Sequence, residues 1–221
     1  ISATSGANEQ LYRQLYEEGF PIVLVDRVIP TLPLSHVLLN NEKGVRDVLQ
    51  YLTRLGHKRI AVVTGRPTEL TPRAERVEAF ERYASAYGLE IRPEYVVVDA
   101  PTEGGGYRAG LRILGMAERP TAVLSTLNVM TLGLLQCCID KGVCIPDELS
   151  LITFDDVNWC KVAQPALTAV AQPVAEFGVH AISLLLQQLA DKENGEEREV
   201  QSIRLAPALI IRDSCAPPPL Q

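Results

Sequence analysis

The segment Pro146-Asp-Glu-Leu-Ser-Leu-Ile-Thr-Phe-Asp-Asp156 ends an apolar run with two adjacent carboxylates. A second segment, Pro165-Ala-Leu-Thr-Ala-Val-Ala-Gln-Pro173, follows soon after and is bounded by prolines, which favour extended backbone. Ligands of open α/β sheets bind at the carboxyl ends of the strands, where carboxylates can face a crevice. The two segments therefore predict a ligand crevice in an α/β fold, and they carry no signature of covalent chemistry.

Short apolar runs alternate with amphipathic helical patterns along the chain. The predicted strands are 21–25, 60–63, 95–98, 121–124, 149–152 and 209–211, and the predicted helices are 9–18, 43–55, 73–87, 106–115 and 130–141. Four of these helices are followed by a glycine in the C-cap position, namely Gly19, Gly56, Gly88 and Gly142. This alternation predicts parallel β-sheet with helices on both faces.

Composition excludes several classes of protein. The chain has 221 residues, of which 47% are hydrophobic, so it can bury a sizeable core. Its formal net charge of -6 argues against direct binding of a phosphate backbone, which depends on clustered lysine and arginine.

Cysteine and histidine usage indicates a reducing compartment and no metal. Five cysteines form an odd set without a Cys-x-x-Cys pair, which suits buried thiols in the cytoplasm. The three histidines are scattered, and we predict neither a metal site nor a cofactor. No apolar run reaches about 18 residues and the start lacks the features of a secretory signal, so we expect neither membrane insertion nor export.

Several ordered motifs, taken together, resemble one family. Besides the two opening segments they are Leu55-Gly-His-Lys-Arg-Ile-Ala-Val-Val-Thr-Gly65, Arg76-Val-Glu-Ala-Phe80 and Leu209-Ile-Ile-Arg-Asp-Ser214. In this order they resemble the sensor domain of the lactose-repressor (LacI) family of bacterial transcription regulators, and they span nearly the whole chain.

The resemblance implies a periplasmic binding protein-like fold, in which two doubly wound parallel-sheet lobes are joined by three crossovers. Residues 1–39 and 174–205 would form the N-terminal lobe, and residues 40–172 and 207–215 the C-terminal lobe. The crossovers are expected near Leu39-Asn40, Gln172-Pro173 and Ala206-Pro207, and the proline-rich residues 216–221 are expected to be a loose tail.

Family members begin with a helix-turn-helix headpiece, whereas this chain begins at what resembles the third strand of the first lobe. We therefore expect a fragment of a longer regulator, with the first lobe incomplete. Contact with operator DNA would then be made only through the headpiece.

Three charged residues are candidate ligand contacts by this resemblance. Arg76 matches the family's cleft-facing arginine, whose rigid guanidinium can bind two hydroxyls or a carboxylate, although a surface ion pair with Glu75 or Glu78 is the alternative. Asp155 matches the carboxylate that accepts from ligand hydroxyls, while Asp156 is expected to cap a helix or stabilise a turn. Asp26 matches the carboxylate of the first lobe.

Two further candidates are less specific. Asn128 follows Leu127, which replaces the family's usual ligand-contacting amide, so capping of the next helix is the alternative for Asn128. Trp159, the only tryptophan, suits stacking on a sugar face, with core packing as an equal alternative. The glycines of segment 100–106 are expected to form a flexible turn rather than a phosphate loop.

The resulting prediction is the effector-binding and dimerisation domain of a LacI-family repressor in the cytoplasm. It would bind a sugar or related small polar effector by lobe closure and form a homodimer. One alternative is a periplasmic-type sugar-binding protein of a transporter, and another is a regulator that answers to a protein co-repressor. An enzyme is not predicted, since no activated nucleophile, metal set or cofactor motif accompanies the carboxylates.

Overall fold

The computed structural model describes residues 1, 8–66, 71–195 and 199–219, and it contains two separate β-sheets. The first has three parallel strands in the order β1-β2-β8, namely β1 (Val23–Val25), β2 (Ser35–Leu39) and β8 (Ser202–Leu205). The second has six strands in the order β4-β3-β5-β6-β7-β9, and only β9 is antiparallel to its neighbour. Its strands are β3 (Ile60–Thr64), β4 (Val96–Val98), β5 (Ala122–Ser125), β6 (Ser150–Phe154), β7 (Thr168–Ala171) and β9 (Ala208–Ile210). The predicted fold class of two α/β lobes is confirmed.

Seven α-helices connect these strands in the described part of the chain. They are α1 (Glu9–Glu17), α2 (Asn41–Arg54), α3 (Thr71–Ala86), α4 (Glu103–Leu114), α5 (Asn128–Asp140), α6 (Asn158–Val162) and α7 (Val174–Asn194). A 3₁₀ turn, Pro93–Tyr95, precedes β4. The four predicted C-cap glycines all have positive φ, as a left-handed helix end requires.

Strands β2 and β8 were missed by the sequence patterns. Both are short and carry polar side chains, and β8 is only partly buried, so neither stands out as an apolar run. Each is specified by pairing with a strand far away in the sequence, with Val37 opposite Ile203 and Leu39 opposite Leu205. Local pattern does not report such pairing.

The chain passes from one sheet to the other between β2 and α2, between β7 and α7, and between β8 and β9. Sheet membership of every strand is compatible with the expected lobes, whose boundaries remain a prediction. The expected loose tail is anchored at its first residue, because the carbonyl oxygen of Ala216 accepts hydrogen bonds from His57 Nε2 at 2.9 Å and from Ser150 Oγ at 3.1 Å.

The second sheet is buried on both faces. Alternate residues of its strands, such as Ile60 and Val62 against Ala61 and Val63, belong to two different core clusters. The first cluster also contains Val37 and Leu205 of the first sheet, so it joins the two lobes. On the far face of the first sheet, the described residues form a smaller cluster of buried side chains, namely Ile22, Leu24, Leu32 and Leu34, and α1 has no buried residue.

The expected glycine turn before residue 106 is wrong, because Gly104, Gly105 and Gly106 lie inside α4. The helix begins earlier, where the Thr102 hydroxyl oxygen accepts from the Gly105 backbone N–H at 3.1 Å. A Cβ on Gly106 would lie 1.9 Å from the Met130 carbonyl oxygen of α5. Gly106 therefore permits close packing of α4 on α5 and is not part of a flexible turn.

Candidate functional site

Two aspartates end strands of the two different sheets. Asp26 follows β1 with φ 68°, and Asp155 follows β6 with φ 72°, both in the left-handed region that aspartate tolerates. The backbone N–H of Asp26 donates to Val37 at 2.8 Å, and that of Asp155 donates to Val170 at 3.0 Å. Each aspartate thus makes the last backbone hydrogen bond of its strand to the neighbouring strand. Its left-handed conformation then changes the direction of the chain, as expected of a residue at the edge of a crevice.

Arg76 is a buried arginine on α3 with 4% of its surface exposed. Its Nε donates to Asn41 Oδ1 at 2.8 Å, its Nη1 donates to the Thr126 carbonyl oxygen at 2.7 Å, and its guanidinium carbon lies 3.9 Å from the centre of the Phe154 ring. The alternative of a surface ion pair is wrong, because Glu75 instead bonds Asn41 and Arg204.

Both aspartates act electrostatically on Arg76. Burial lowers the pKa of Arg76, and the charges of Asp155, Asp26 and Glu75 oppose that effect. The structure therefore places two of the charged candidates, Asp155 and Asp26, within electrostatic range of the third, Arg76. Asn41, which holds Arg76, was missed by sequence reasoning. Its position directly after the first expected crossover was the available signal.

The carboxylate of Asp155 is held by two side-chain amides. Asn128 Nδ2 donates to its Oδ2 at 2.9 Å, and Gln172 Nε2 donates to its Oδ1. The capping alternative for Asn128 is wrong, since Leu127 occupies the N-cap position of α5 and makes no side-chain cap bond. Gln172 was also missed as a site residue, although it stands in the quoted proline-bounded segment.

Asp26 is in the opposite situation. Its Oδ1 is buried and accepts no hydrogen bond from any residue in the described ranges, and Arg27 Nε is 3.8 Å from its other oxygen. Burial raises the pKa of Asp26, while the charges of Arg76 and Arg27 lower it. A buried acceptor without a donor is unfavourable unless a ligand or water supplies one.

Asp156 and Trp159 have structural contacts. Asp156 binds Arg212 near β9 with N–O distances of 2.8 and 2.9 Å. The expected helix cap is wrong, because Val157 is the N-cap of α6 and no side chain caps it. Trp159 is half-buried and packs against the core cluster that lies under α4 and α5. These contacts are those of packing, and the stacking role of Trp159 stays a prediction.

The described part of the chain has neither a cluster of metal ligands nor a membrane-spanning helix. Within residues 1, 8–66, 71–195 and 199–219, no three His, Cys, Asp or Glu side chains lie close enough to hold a metal ion. None of the described helices combines the length and apolar character needed to cross a membrane.

Comparison with known proteins assigns the family. The sequence profile of the "Periplasmic binding protein-like domain" matches residues 49–215. The chain belongs to this family. Several of the similar curated proteins are named as helix-turn-helix (HTH-type) transcriptional regulators. One is the probable regulator EndR of Paenibacillus polymyxa, 30% identical over 210 residues that cover 94% of this chain and 61% of EndR.

Solved structures of LacI-family regulators share the fold. The regulatory protein of Chloroflexus aggregans has a TM-score of 0.84 and 28% identity, covering 97% of this chain and 75% of that one. The regulator of Enterococcus faecium, solved with bound ribose, has a TM-score of 0.82 and 25% identity, covering 99% and 79%. The chain spans 61% and 60% of the length of the two curated relatives it matches first, and it covers their periplasmic binding protein-like sensor region.

Proposed function

We propose that this chain is the effector-binding and dimerisation domain of a LacI-family transcriptional repressor, responding to a sugar or related small polar ligand. One observation carries the proposal. Two carboxylates from different sheets, Asp26 and Asp155, both interact electrostatically with buried Arg76. A ligand that bonds groups of both lobes can favour one lobe arrangement, which is the requirement for a switch.

The ligand contacts are proposed to be Arg76, Asp155, Asp26, Asn128 and Trp159. The free acceptor on Asp26 suits a hydroxyl donor, and the fork of Arg76 suits a pair of oxygens. Leu127 has no side-chain amide, so one polar contact to the ligand is missing. A fully hydroxylated sugar would therefore have a hydroxyl without a partner at this position. Ribose bound to the Enterococcus faecium relative makes a pentose the first probe.

We further propose that the protein binds rather than transforms its ligand, that it acts in the cytoplasm, and that it forms a homodimer. Its relatives are regulators rather than transport proteins, which favours a repressor over a transporter component. Three exposed apolar residues spaced along one side of α7, Val179, Ile182 and Leu186, support the interface of such a homodimer. Operator DNA would be bound through the headpiece of a longer chain.

Calorimetric titration with ribose, other pentoses, hexoses and sugar phosphates tests the proposal. We expect heat from at least one sugar, and an affinity at least about tenfold weaker in Asp155→Ala and Asp26→Asn, which removes about 1.4 kcal/mol or more of binding free energy. Asp147→Asn, at an exposed aspartate away from both strand ends, is the control and should bind as wild type. Absence of heat from every sugar would contradict the proposal and favour the protein co-repressor alternative.

A further inference from the structure

Asn41 connects the candidate ligand-binding arginine to the boundary between the lobes. It is the first residue of α2, directly after the chain leaves the first sheet, and 1% of its surface is exposed. Its Oδ1 accepts from Arg76 Nε at 2.8 Å, while its Nδ2 donates to Glu75 Oε2 at 2.7 Å. Only this orientation of the amide satisfies both a guanidinium donor and a carboxylate acceptor.

Glu75 continues the connection into the first lobe. Its second oxygen, Oε1, accepts from Arg204 Nη2 at 3.0 Å. Glu75 belongs to α3 beside the second sheet, whereas Arg204 belongs to β8 of the first sheet. Near this pair, the Asn40 backbone N–H donates to the Leu205 carbonyl oxygen at 2.8 Å. This is the last backbone hydrogen bond between the β2 and β8 segments before the chain continues from β2 to α2 and from β8 to β9.

The surroundings of this ion pair make it a contact that can break. A recess of about 300 Å³ lies beside it and is lined by Asn40, Glu42, Glu75, Glu78, Ala79, Arg82 and Arg204. The carboxylates of Glu42, Glu75 and Glu78 line this recess, and Glu42 is bonded to Arg82 and Tyr83. Arg204 therefore brings a positive charge from the first lobe to a set of carboxylates on the second lobe. The Arg204 side chain is 47% exposed, and an ion pair so accessible to water is weak and reversible.

We propose that Asn41 is a positioning residue that couples Arg76 to the Glu75–Arg204 contact between the lobes. The inference rests on the proposed function, in which Arg76 binds the effector. A ligand oxygen that draws Arg76 away from Asn41 removes the only donor that the Asn41 Oδ1 has among the described residues, and with it one of the bonds that orient the amide. Glu75 then loses the donor that holds its carboxylate toward Arg204, and the lobe contact weakens.

The relay can be tested without any effector, by hydrogen exchange of the Asn40 amide measured by NMR on the whole chain. The variants are Arg204→Gln, Arg76→Lys and the double substitution. If the relay exists, each single variant accelerates exchange roughly two- to fivefold, as expected for the loss of a partly exposed ion pair. The double variant is no faster than Arg204→Gln, because both substitutions break the same chain of bonds.

A local control and a second route keep the result specific. Arg46→Gln removes the partner of an ion pair within α2 and should leave the Asn40 amide unchanged. Asn41→Asp retains an acceptor for Arg76 but faces Glu75 with a like charge, so it should accelerate exchange of the Asn40 amide. This variant replaces Arg76→Lys as the test if Arg76→Lys unfolds the second lobe. Exchange of β5 and β6 amides reports such unfolding.

Three outcomes would overturn the relay. They are a normal Asn40 amide in Arg204→Gln, a normal Asn40 amide in both Arg76→Lys and Asn41→Asp, or accelerations that multiply in the double variant. The sugar titration tests effector binding and the exchange experiment tests coupling. Failure of one therefore leaves the other standing.

Discussion

Asp26 and Asp155 both have left-handed backbone and both follow the end of a strand, but their carboxylates differ in the hydrogen bonds that they accept. Asp155 accepts two amide hydrogen bonds, while Asp26 has a buried oxygen without a donor in the described part of the protein. Asp155 is therefore held in place by the protein, and each of its oxygens can still accept a further hydrogen bond. Asp26 has one oxygen entirely without a protein donor.

Substitution by asparagine should separate the two roles. Asparagine tolerates left-handed backbone, so neither variant strains the chain. Because burial raises the pKa of Asp26, its ionised form weakens the fold. The contribution of Asp26 is fully present below the ordinary aspartate pKa of about 4 and is lost as pH rises through the folded value.

Asp26→Asn should therefore be at least as stable as wild type at pH 7, with the difference vanishing toward pH 4. Asp155→Asn is the matched comparison and should lose about 1–3 kcal/mol, because an amide N–H would then face another amide N–H. Urea unfolding at pH 4, 5, 6 and 7 measures both. A large loss of stability in Asp26→Asn at pH 7 would show that its charge is stabilising.

At the scale of elements, the contact of α4 with α5 depends on the absence of side chains. A Cβ on Gly133 of α5 would lie 1.8 Å from the Glu103 carbonyl oxygen of α4, a distance that no packing arrangement permits. Helix propensity alone favours alanine over glycine by about 1 kcal/mol. Here the close approach of two backbones outweighs that preference.

Gly133→Ala should accordingly destabilise the protein by more than about 2 kcal/mol, since the two helices must separate. Gly178→Ala on α7 is the control, because nothing lies within 4 Å of its added Cβ, and it should gain roughly 0.5–1 kcal/mol. Thermal unfolding followed by circular dichroism distinguishes the two. Equal effects would mean that α4 and α5 can adjust their spacing freely.

His57 links the start of β3 to two other elements. It is 1% exposed, its Nε2 is 2.9 Å from the Ala216 carbonyl oxygen, and its Nδ1 is 2.8 Å from Thr121 Oγ1. A carbonyl oxygen only accepts, so Nε2 carries a proton and donates it to the Ala216 carbonyl oxygen. Burial lowers the pKa of His57, which favours the neutral imidazole.

A lowered pKa makes the unfolded chain bind the His57 proton more tightly than the folded one. The stability contributed by neutral His57 is present above its ordinary pKa of 6.5 and is lost as pH falls through the folded value. His57→Gln should be less stable than wild type at pH 7 and lose less on acidification to pH 5.5. His180→Gln is the control in the same urea titrations, and it should retain the pH dependence of wild type.

For the whole molecule, burial is unequal between the two lobes. The second sheet is covered on both faces by large clusters, whereas the cluster on the far face of the first sheet has four buried apolar residues and α1 buries none. Local opening free energies follow the amount of buried apolar contact. The first lobe should therefore open more readily than the second in this chain.

Native-state hydrogen exchange checks this expectation. Amides of β3, β5 and β6 should be the best protected, those of β1 and β8 should exchange sooner, and those of α1 should exchange first. Limited proteolysis should cut within α1 before any site in the second lobe. Protection of α1 equal to that of β5 would mean that burial on the far face of the first sheet does not limit opening.

Local sequence pattern alone identified the apolar strands, the helices and the glycine caps, because buried strands and helix ends carry strong local signals. Family motifs added the two-lobed arrangement and the residues Arg76, Asp155 and Asp26. The strands β2 and β8 escaped, since pairing of residues over 160 positions apart specifies them.

Tertiary structure alone decided how the charged residues are used. Apart from the position of Asn41 after a crossover, no local signal indicates that Asn41 and Thr126 hold Arg76, that Gln172 and Asn128 hold Asp155, or that Asp26 has an oxygen left over. Hydrogen bonding depends on which side chains meet in space at about 3 Å, and that is settled only when distant segments pack. The sequence thus determined the framework and the charged groups, and packing determined which of them remain available to a ligand.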